Sequence, residues 1–108
     1  MTYSASITPG SYSAESVEVL GIPGVARQLT AGATSTNTAL TATISRISIK
    51  AVTADIRFSI GGVAQTATST SHFIAQDERL DFKVPRNANI AVIRNASTSG
   101  TLEVTELV

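Results

Sequence analysis

The fold is decided by residues 72–107, HFIAQDERLDFKVPRNANIAVIRNASTSGTLEVTEL. Within this stretch apolar side chains recur at every second position, in three short runs. The runs are Leu80, Phe82 and Val84, then Ile90 and Val92, and finally Leu102 and Val104. The gaps between them carry proline, asparagine, serine and glycine, which suit tight turns. The pattern predicts an antiparallel meander with one buried and one solvent-exposed face.

The middle of the chain predicts two more strands. The run Ile47–Ala51 alternates in twos, with Ile44 out of phase by one residue, which predicts a β-bulge at Ser45–Arg46. The run Ala54–Ile60 alternates cleanly and ends at a pair of glycines. Because the connection between the two runs is short, we expect them to form a β-hairpin.

The first part of the chain is less regular. Residues 1–13 are rich in serine and threonine and are interpreted as a polar N-terminal arm, either a frayed terminus or an arm that docks on a neighbouring subunit. Val17 and Val19 favour a short strand, and Val25–Leu29 a second weak one. Residues 30–41 and 63–71 are small and polar, which is typical of surface loops or edge strands.

These patterns predict the fold class. A chain of 108 residues fits one domain, and no segment has the pattern of a useful helix. Seven or eight short strands are typical of a sandwich, jelly roll or barrel. We therefore predict an all-β, single-domain antiparallel β-sandwich, jelly-roll-like, formed by residues 14–108 behind the arm formed by residues 1–13.

Composition excludes several classes of function. The formal net charge is zero, so we expect no nucleic-acid partner. The sequence has no cysteine, which excludes disulfides and thiolate metal sites. It shows neither a signal peptide nor a run of about 18 apolar residues, so we expect no membrane partner.

The reactive side chains of the sequence predict no catalytic, cofactor-binding or metal-binding residue. His72 is the single histidine, and the acids that follow it fall on a turn and on an outer strand face, so it is interpreted as a surface side chain. No serine lies in a nucleophile elbow. Glu103 and Glu106 are expected on the solvent face of the last strand. The chain is therefore predicted not to be an enzyme and to need no cofactor.

The densest cluster of charge is Asp77–Asp81. The cluster fits a solvent-exposed turn in which positive and negative side chains alternate. It also fits a set of ion pairs at a subunit contact, in which Arg79 is the candidate anchor because interfaces favour arginine.

Three stretches resemble proteins of a known kind. Ser71–Phe82 (SHFIAQDERLDF), Ala91–Arg94 (AVIR) and Thr101–Leu107 (TLEVTEL) are similar to short proteins from the structural gene clusters of tailed bacteriophages. The likeness covers about Ile44 to Leu107. It implies a virion component with a small β-sandwich fold, made in the host cytoplasm.

Within that group, the resemblance implies a head decoration (cement) protein on the capsid surface. Such proteins are usually trimers that clamp neighbouring copies of the major capsid protein. The expected contacts are the arm and the loops Ala31–Thr38 and Val63–Ser71. The candidate contact residues are Tyr3, Ile7, Tyr12, Thr34, Asn37 and Arg79. The alternative is a tail fibre or baseplate module that recognises a host surface glycan, for which aromatic residues are scarce.

Overall fold

A computed structural model describes residues 21–108, which form eight β-strands and, within this range, no helix. The strands are β1 Pro23–Ala31, β2 Thr36–Ala39, β3 Arg46–Val52, β4 Ile56–Gly61, β5 His72–Ile74, β6 Arg79–Lys83, β7 Asn89–Arg94 and β8 Gly100–Leu107. The predicted arm and the predicted strand at Val17 and Val19 lie outside the described residues.

The strands form two antiparallel sheets of four. The first sheet has the order β1-β8-β3-β6 and the second has the order β2-β7-β4-β5. The chain crosses to the other sheet at every connection except the one between β4 and β5, and this strand order is that of a jelly roll built from two Greek keys. The predicted all-β, antiparallel, jelly-roll-like sandwich is confirmed.

Two predicted pairings are wrong. β3 and β4 do not form a hairpin, because β3 pairs with β6 and β8 while β4 pairs with β5 and β7. Thr53, with φ of 81°, lies in the short turn that carries the chain from one sheet to the other. For the same reason β6, β7 and β8 are not a meander: β7 lies in the opposite sheet from its two neighbours in sequence. Alternation in twos identifies a strand but not its partner.

The predicted bulge at Ser45–Arg46 is also absent. β3 pairs with β8 in an unbroken register from Arg46 to Val52. Ile44 lies before the strand, and its side chain enters the core from the connection between β2 and β3. It therefore does not follow the alternation of Ile47, Ile49 and Ala51. The register shift that the structure does contain lies in β1, between Pro23 and Ala26.

Small branched side chains from both sheets form the core. The largest fully buried apolar side chains are Ile47, Ile49, Leu102 and Val104 from the first sheet and Ile56, Ile74, Ile90 and Val92 from the second. Each sheet thereby covers the apolar face of the other, as sandwich packing requires.

The predicted loop at residues 63–71 is part of the connection between β4 and β5, and it lies against the outside of the second sheet. The Gln65 N–H donates to Asn37 Oδ1 at 2.9 Å, and the Ala67 N–H donates to Ser35 Oγ at 2.8 Å. Ser59 on β4 also bonds the Gln65 side chain, at 2.7 Å. The edge formed by β2 is therefore tied to this loop by side-chain hydrogen bonds.

Candidate functional site

An open cavity of about 410 Å³ lies between the sheets, on the side where β5 and β6 form the edges. Its lining includes all three phenylalanines of the chain and its single histidine. The lining residues are Phe58, Ile60, His72, Phe73, Leu80, Phe82, Lys83 and Pro85. A mostly apolar cavity of this size, with a few polar groups, has the ordinary form of a binding site.

Phe58 forms the floor of the cavity and is 3% exposed. Its ring centroid lies 5.6 Å from that of Phe82, at an interplanar angle of 49°, and 5.6 Å from that of His72, at 42°. These tilted arrangements are the ones that aromatic quadrupoles favour. The floor is therefore held from both sheets, since Phe82 lies on β6 and His72 on β5.

The rim carries the polar groups. Phe73 is 43% exposed, and the Arg57 guanidinium carbon lies 4.8 Å from its ring centroid, a cation–π contact. Arg57 is itself held by hydrogen bonds to Asn95 Oδ1 at 2.9 Å and to the Ser71 carbonyl at 3.1 Å. Lys83 is exposed and pairs with no carboxylate among residues 21–108. The rim thus offers positive charge beside an apolar floor.

A second polar cluster lies where β1, β8 and the β2–β3 connection meet. The Glu106 side chain is 1% exposed, and its Oε2 accepts hydrogen bonds from Arg27 Nε at 3.1 Å and from the Thr41 N–H at 2.9 Å. Arg27 Nη2 completes the ion pair at 3.0 Å. The prediction that Glu106 faces solvent is wrong, because Glu106 shares the inward phase of Leu102 and Val104.

Competing effects set the pKa of Glu106. Burial disfavours the charged form and raises the pKa, but hydrogen bonds from the Thr41 side chain and N–H and from Arg27, together with the Arg27 charge, outweigh burial. The pKa is therefore lowered from its ordinary value of 4.5. The carboxylate is ionised at neutral pH and fastens the β2–β3 connection to the sheet.

This lowered pKa predicts a loss of stability in acid. Because the folded pKa lies below the unfolded one, the contribution of Glu106 is complete above pH 4.5 and is lost as the pH falls through the folded pKa. Urea unfolding between neutral pH and pH 3 should show the wild type losing more free energy than Glu106→Gln. Glu103→Gln, on the outer phase of the same strand, should retain the full acid loss. Parallel profiles for wild type and Glu106→Gln would contradict this assignment.

Of the predicted contact residues, the three that the structure describes are not brought together, since Thr34 and Asn37 lie at or beside β2 of the second sheet and Arg79 lies on β6 of the first. Thr34 is exposed in the β1–β2 turn, whereas the Asn37 amide is engaged within the fold, donating to Asn89 Oδ1 at 3.1 Å. Arg79 lies on β6 and donates to Ser48 Oγ at 2.9 Å. Tyr3, Ile7 and Tyr12 lie outside the described residues.

Among residues 21–108, no group of three or more His, Cys, Asp or Glu side chains lies close enough together to hold a metal ion. His72 is exposed at the cavity rim, with its ring centroid 5.6 Å from that of Phe58. The same range contains no helix long and apolar enough to cross a membrane.

Comparison with protein-family models and with curated protein sequences found no match. Among solved structures, the chain is similar to the cupin domain of Cnp3 from Schizosaccharomyces pombe, at 13% identity and a TM-score of 0.46. The match covers 76% of this chain and 50% of that one, so the chain spans half the length of the structure it matches. A likeness of this size carries no argument about what the chain binds or does.

Proposed function

We propose that this protein is a phage virion component, a decoration protein that binds the outer surface of the head and stabilises neighbouring major capsid proteins. The observation that carries the proposal is the jelly-roll strand order, an architecture that viral capsid proteins use. The stretches that resemble phage structural proteins fall on its strands: Ser71–Phe82 contains β5 and the first four residues of β6, Ala91–Arg94 lies in β7, and Thr101–Leu107 lies in β8.

The outer face of the first sheet suits a protein that remains partly in water on a capsid surface. In register, Lys50 lies between Glu103 on β8 and Arg79 on β6. Lys50 and Glu103 carry opposite charges and attract across adjacent strands, whereas Lys50 and Arg79 carry the same sign, so the face mixes charges of both signs. This face supports solubility rather than capture of a charged polymer.

An exposed apolar patch at one end of the sandwich supplies the proposed capsid contact. The patch consists of Ile22, Val25 and Val108, which are 69%, 47% and 63% exposed. Ile22 and Val108 exchange backbone hydrogen bonds of 2.9 and 2.8 Å, and a Cβ added at Gly24 would lie 3.1 Å from Val108 Cγ1. Ile22 and Val108 are therefore neighbours across the strand pair, and Val25 follows Ile22 by three residues on the same chain segment. Exposed apolar side chains grouped in this way are typical of protein contacts.

The double variant Ile22→Ser/Val25→Ser should weaken binding to purified capsids by about tenfold or more, since removing central apolar contacts typically costs over about 1 kcal/mol each. Co-sedimentation with capsids measures the effect. Phe73→Ser is the matched control, because Phe73 is 43% exposed but lies on β5 of the second sheet, outside the patch and outside both loops expected to contact the capsid. If both variants lost the same capsid affinity, or if neither lost any, the patch would not be the capsid contact.

The proposed partners are the major capsid protein and two further copies of this chain in a homotrimer. The protein is proposed to be made in the host cytoplasm and to reside on the capsid surface, and no catalytic role is assigned to it. Light scattering of the purified chain measures the oligomer. A mass that stays at 11.2 kDa over the working concentration range would rule out the trimer.

The glycan-binding alternative has less support. Sugar recognition combines an aromatic platform with several hydrogen-bonding side chains. The lining of the cavity has the aromatic rings, but its polar side chains are only His72 and Lys83. A glycan array on the purified chain separates the two functions.

A further inference from the structure

The outer edge of β6 carries backbone groups that no described strand uses. On the edge of β6 that faces β3, two hydrogen bonds continue the pairing beyond the strand ends. The Val84 N–H donates to the Ser45 carbonyl at 2.8 Å, and the Ala51 N–H donates to the Glu78 carbonyl at 3.3 Å. Alternate residues of an antiparallel strand bond to the same neighbour, so Leu80 and Phe82 also face β3. The backbone groups of residues 79, 81 and 83 therefore point away from β3, and β6 is the last strand of its sheet.

The aromatic cavity runs along this same edge. Leu80 and Phe82 are the inward side chains of β6, and both line the cavity. A further strand added to β6 would project every second side chain into the space beside them, because side chains alternate across a strand. β1, at the other end of the first sheet, supplies no residue to this cavity.

The charge at this edge favours an acidic occupant. Lys83 lines the cavity, and no carboxylate in the described part of the chain pairs with it. Arg79 shares the outer phase of β6 with Lys83. Asp81 between them is the single acid of the strand. Asp77 and Glu78 precede the strand, so the excess of positive charge lies at its other end, where Lys83 is in register with Arg46 of β3. A carboxylate of a bound segment placed at that end would meet net positive charge.

We propose that the free edge of β6 and the cavity beside it bind an extended segment of a partner protein, with apolar side chains at alternate positions and acidic side chains between them. The apolar side chains enter the cavity lined by Phe58 and Phe82, and the acidic ones lie on the outer face near Lys83. Backbone hydrogen bonds hold such a segment while the cavity selects its side chains. This inference does not depend on the proposed virion role.

Binding of synthetic peptides to the full chain tests the proposal. The probe is a blocked octapeptide in which valine and glutamate alternate, titrated by two-dimensional NMR up to about 1 mM, the weak end of peptide affinities. Shifts should concentrate at β6 and the cavity. Methylating the peptide nitrogens that face β6 should abolish binding, whereas methylating those that face away should not. A peptide of the same composition with its valines contiguous should bind at least about tenfold more weakly.

Variants of the protein complete the test. Asp81→Pro removes a backbone N–H that points away from β3 and should weaken binding about tenfold or more, whereas Asp81→Ala keeps that N–H and should change affinity less than about twofold. Lys83→Gln should weaken binding about threefold and reduce its salt dependence, and Lys50→Gln, on the outer face of β3, should not.

Several results would overturn the proposal. They are no binding at the highest concentration, equal binding of the contiguous peptide, or binding indifferent to which nitrogens are methylated. Self-association of the wild-type chain that Asp81→Pro abolishes, without any peptide binding, would assign the edge to a second copy instead. If Asp81→Pro fails to fold, the methylated peptides decide the question with the unaltered chain.

Discussion

Replacing Phe58 with alanine is expected to lower the free energy of unfolding by about 3 to 4 kcal/mol. The ring is 3% exposed and is held between Phe82 from the opposite sheet and His72 from the neighbouring strand. Its removal takes away the contact that joins the two edge strands across the sandwich, in addition to its own burial. The value lies at the lower end of the range for phenylalanine because one side of the site is already an open cavity. Urea unfolding, followed by circular dichroism, measures the change.

Phe73→Ala is the matched control for this prediction. Phe73 lines the same cavity but is 43% exposed and contacts Arg57 from outside the sheet. Losing the cation–π contact with Arg57 should lower the free energy of unfolding by no more than about 1 kcal/mol. Equal costs for the two substitutions would mean that the aromatic floor does not join the sheets.

Replacing Arg27 with methionine is expected to lower the free energy of unfolding by about 2 to 3 kcal/mol at neutral pH. The substitution leaves the Glu106 carboxylate 1% exposed and without its cation, while the Thr41 N–H remains as its donor. Removing one partner of a buried pair leaves an uncompensated charge, which is the costly case. The cost falls below the usual range because the Arg27 side chain is 28% exposed. Thermal unfolding should show a midpoint lowered by roughly 10 °C or more.

A second substitution tests the cause of that loss. In Arg27→Met/Glu106→Gln the buried charge is gone, and the glutamine can still accept the bond from Thr41. The double variant should therefore be more stable than Arg27→Met alone, although each single variant is less stable than wild type. Additive losses would show that the two side chains do not interact, and the double-mutant cycle isolates this coupling.

The sequence predicts strands well and their partners poorly. Residues 54–60 and 80–104 alternate in twos because each strand has one face in the core, and this signal is local. Pairing depends on which connection carries the chain across to the other sheet. A three-residue turn such as the one at Thr53 serves a hairpin and a crossing between sheets equally well. That is why the predicted hairpin and meander were wrong while the strands themselves are present.

The candidate site was predictable only in part. Phe58 and Phe82 fall on inward phases, which the alternation shows, but their convergence depends on β4 and β6 facing each other from different sheets. Glu106 is different, because the alternating pattern alone predicts that its side chain points inward: it follows Leu102 and Val104 in steps of two. A prediction from residue type places a carboxylate in water, and at Glu106 that prediction is wrong because the position in the strand decides burial. Its partners, Arg27 and Thr41, are distant in sequence and could not be found from the pattern.

The most direct test of the proposed role is labelling of intact particles of a phage that encodes this chain, using an antibody raised against it and negative-stain imaging. The label should decorate the outer surface of the head, at many sites per particle. Label confined to the tail or baseplate, or absent from intact particles, would contradict the decoration role.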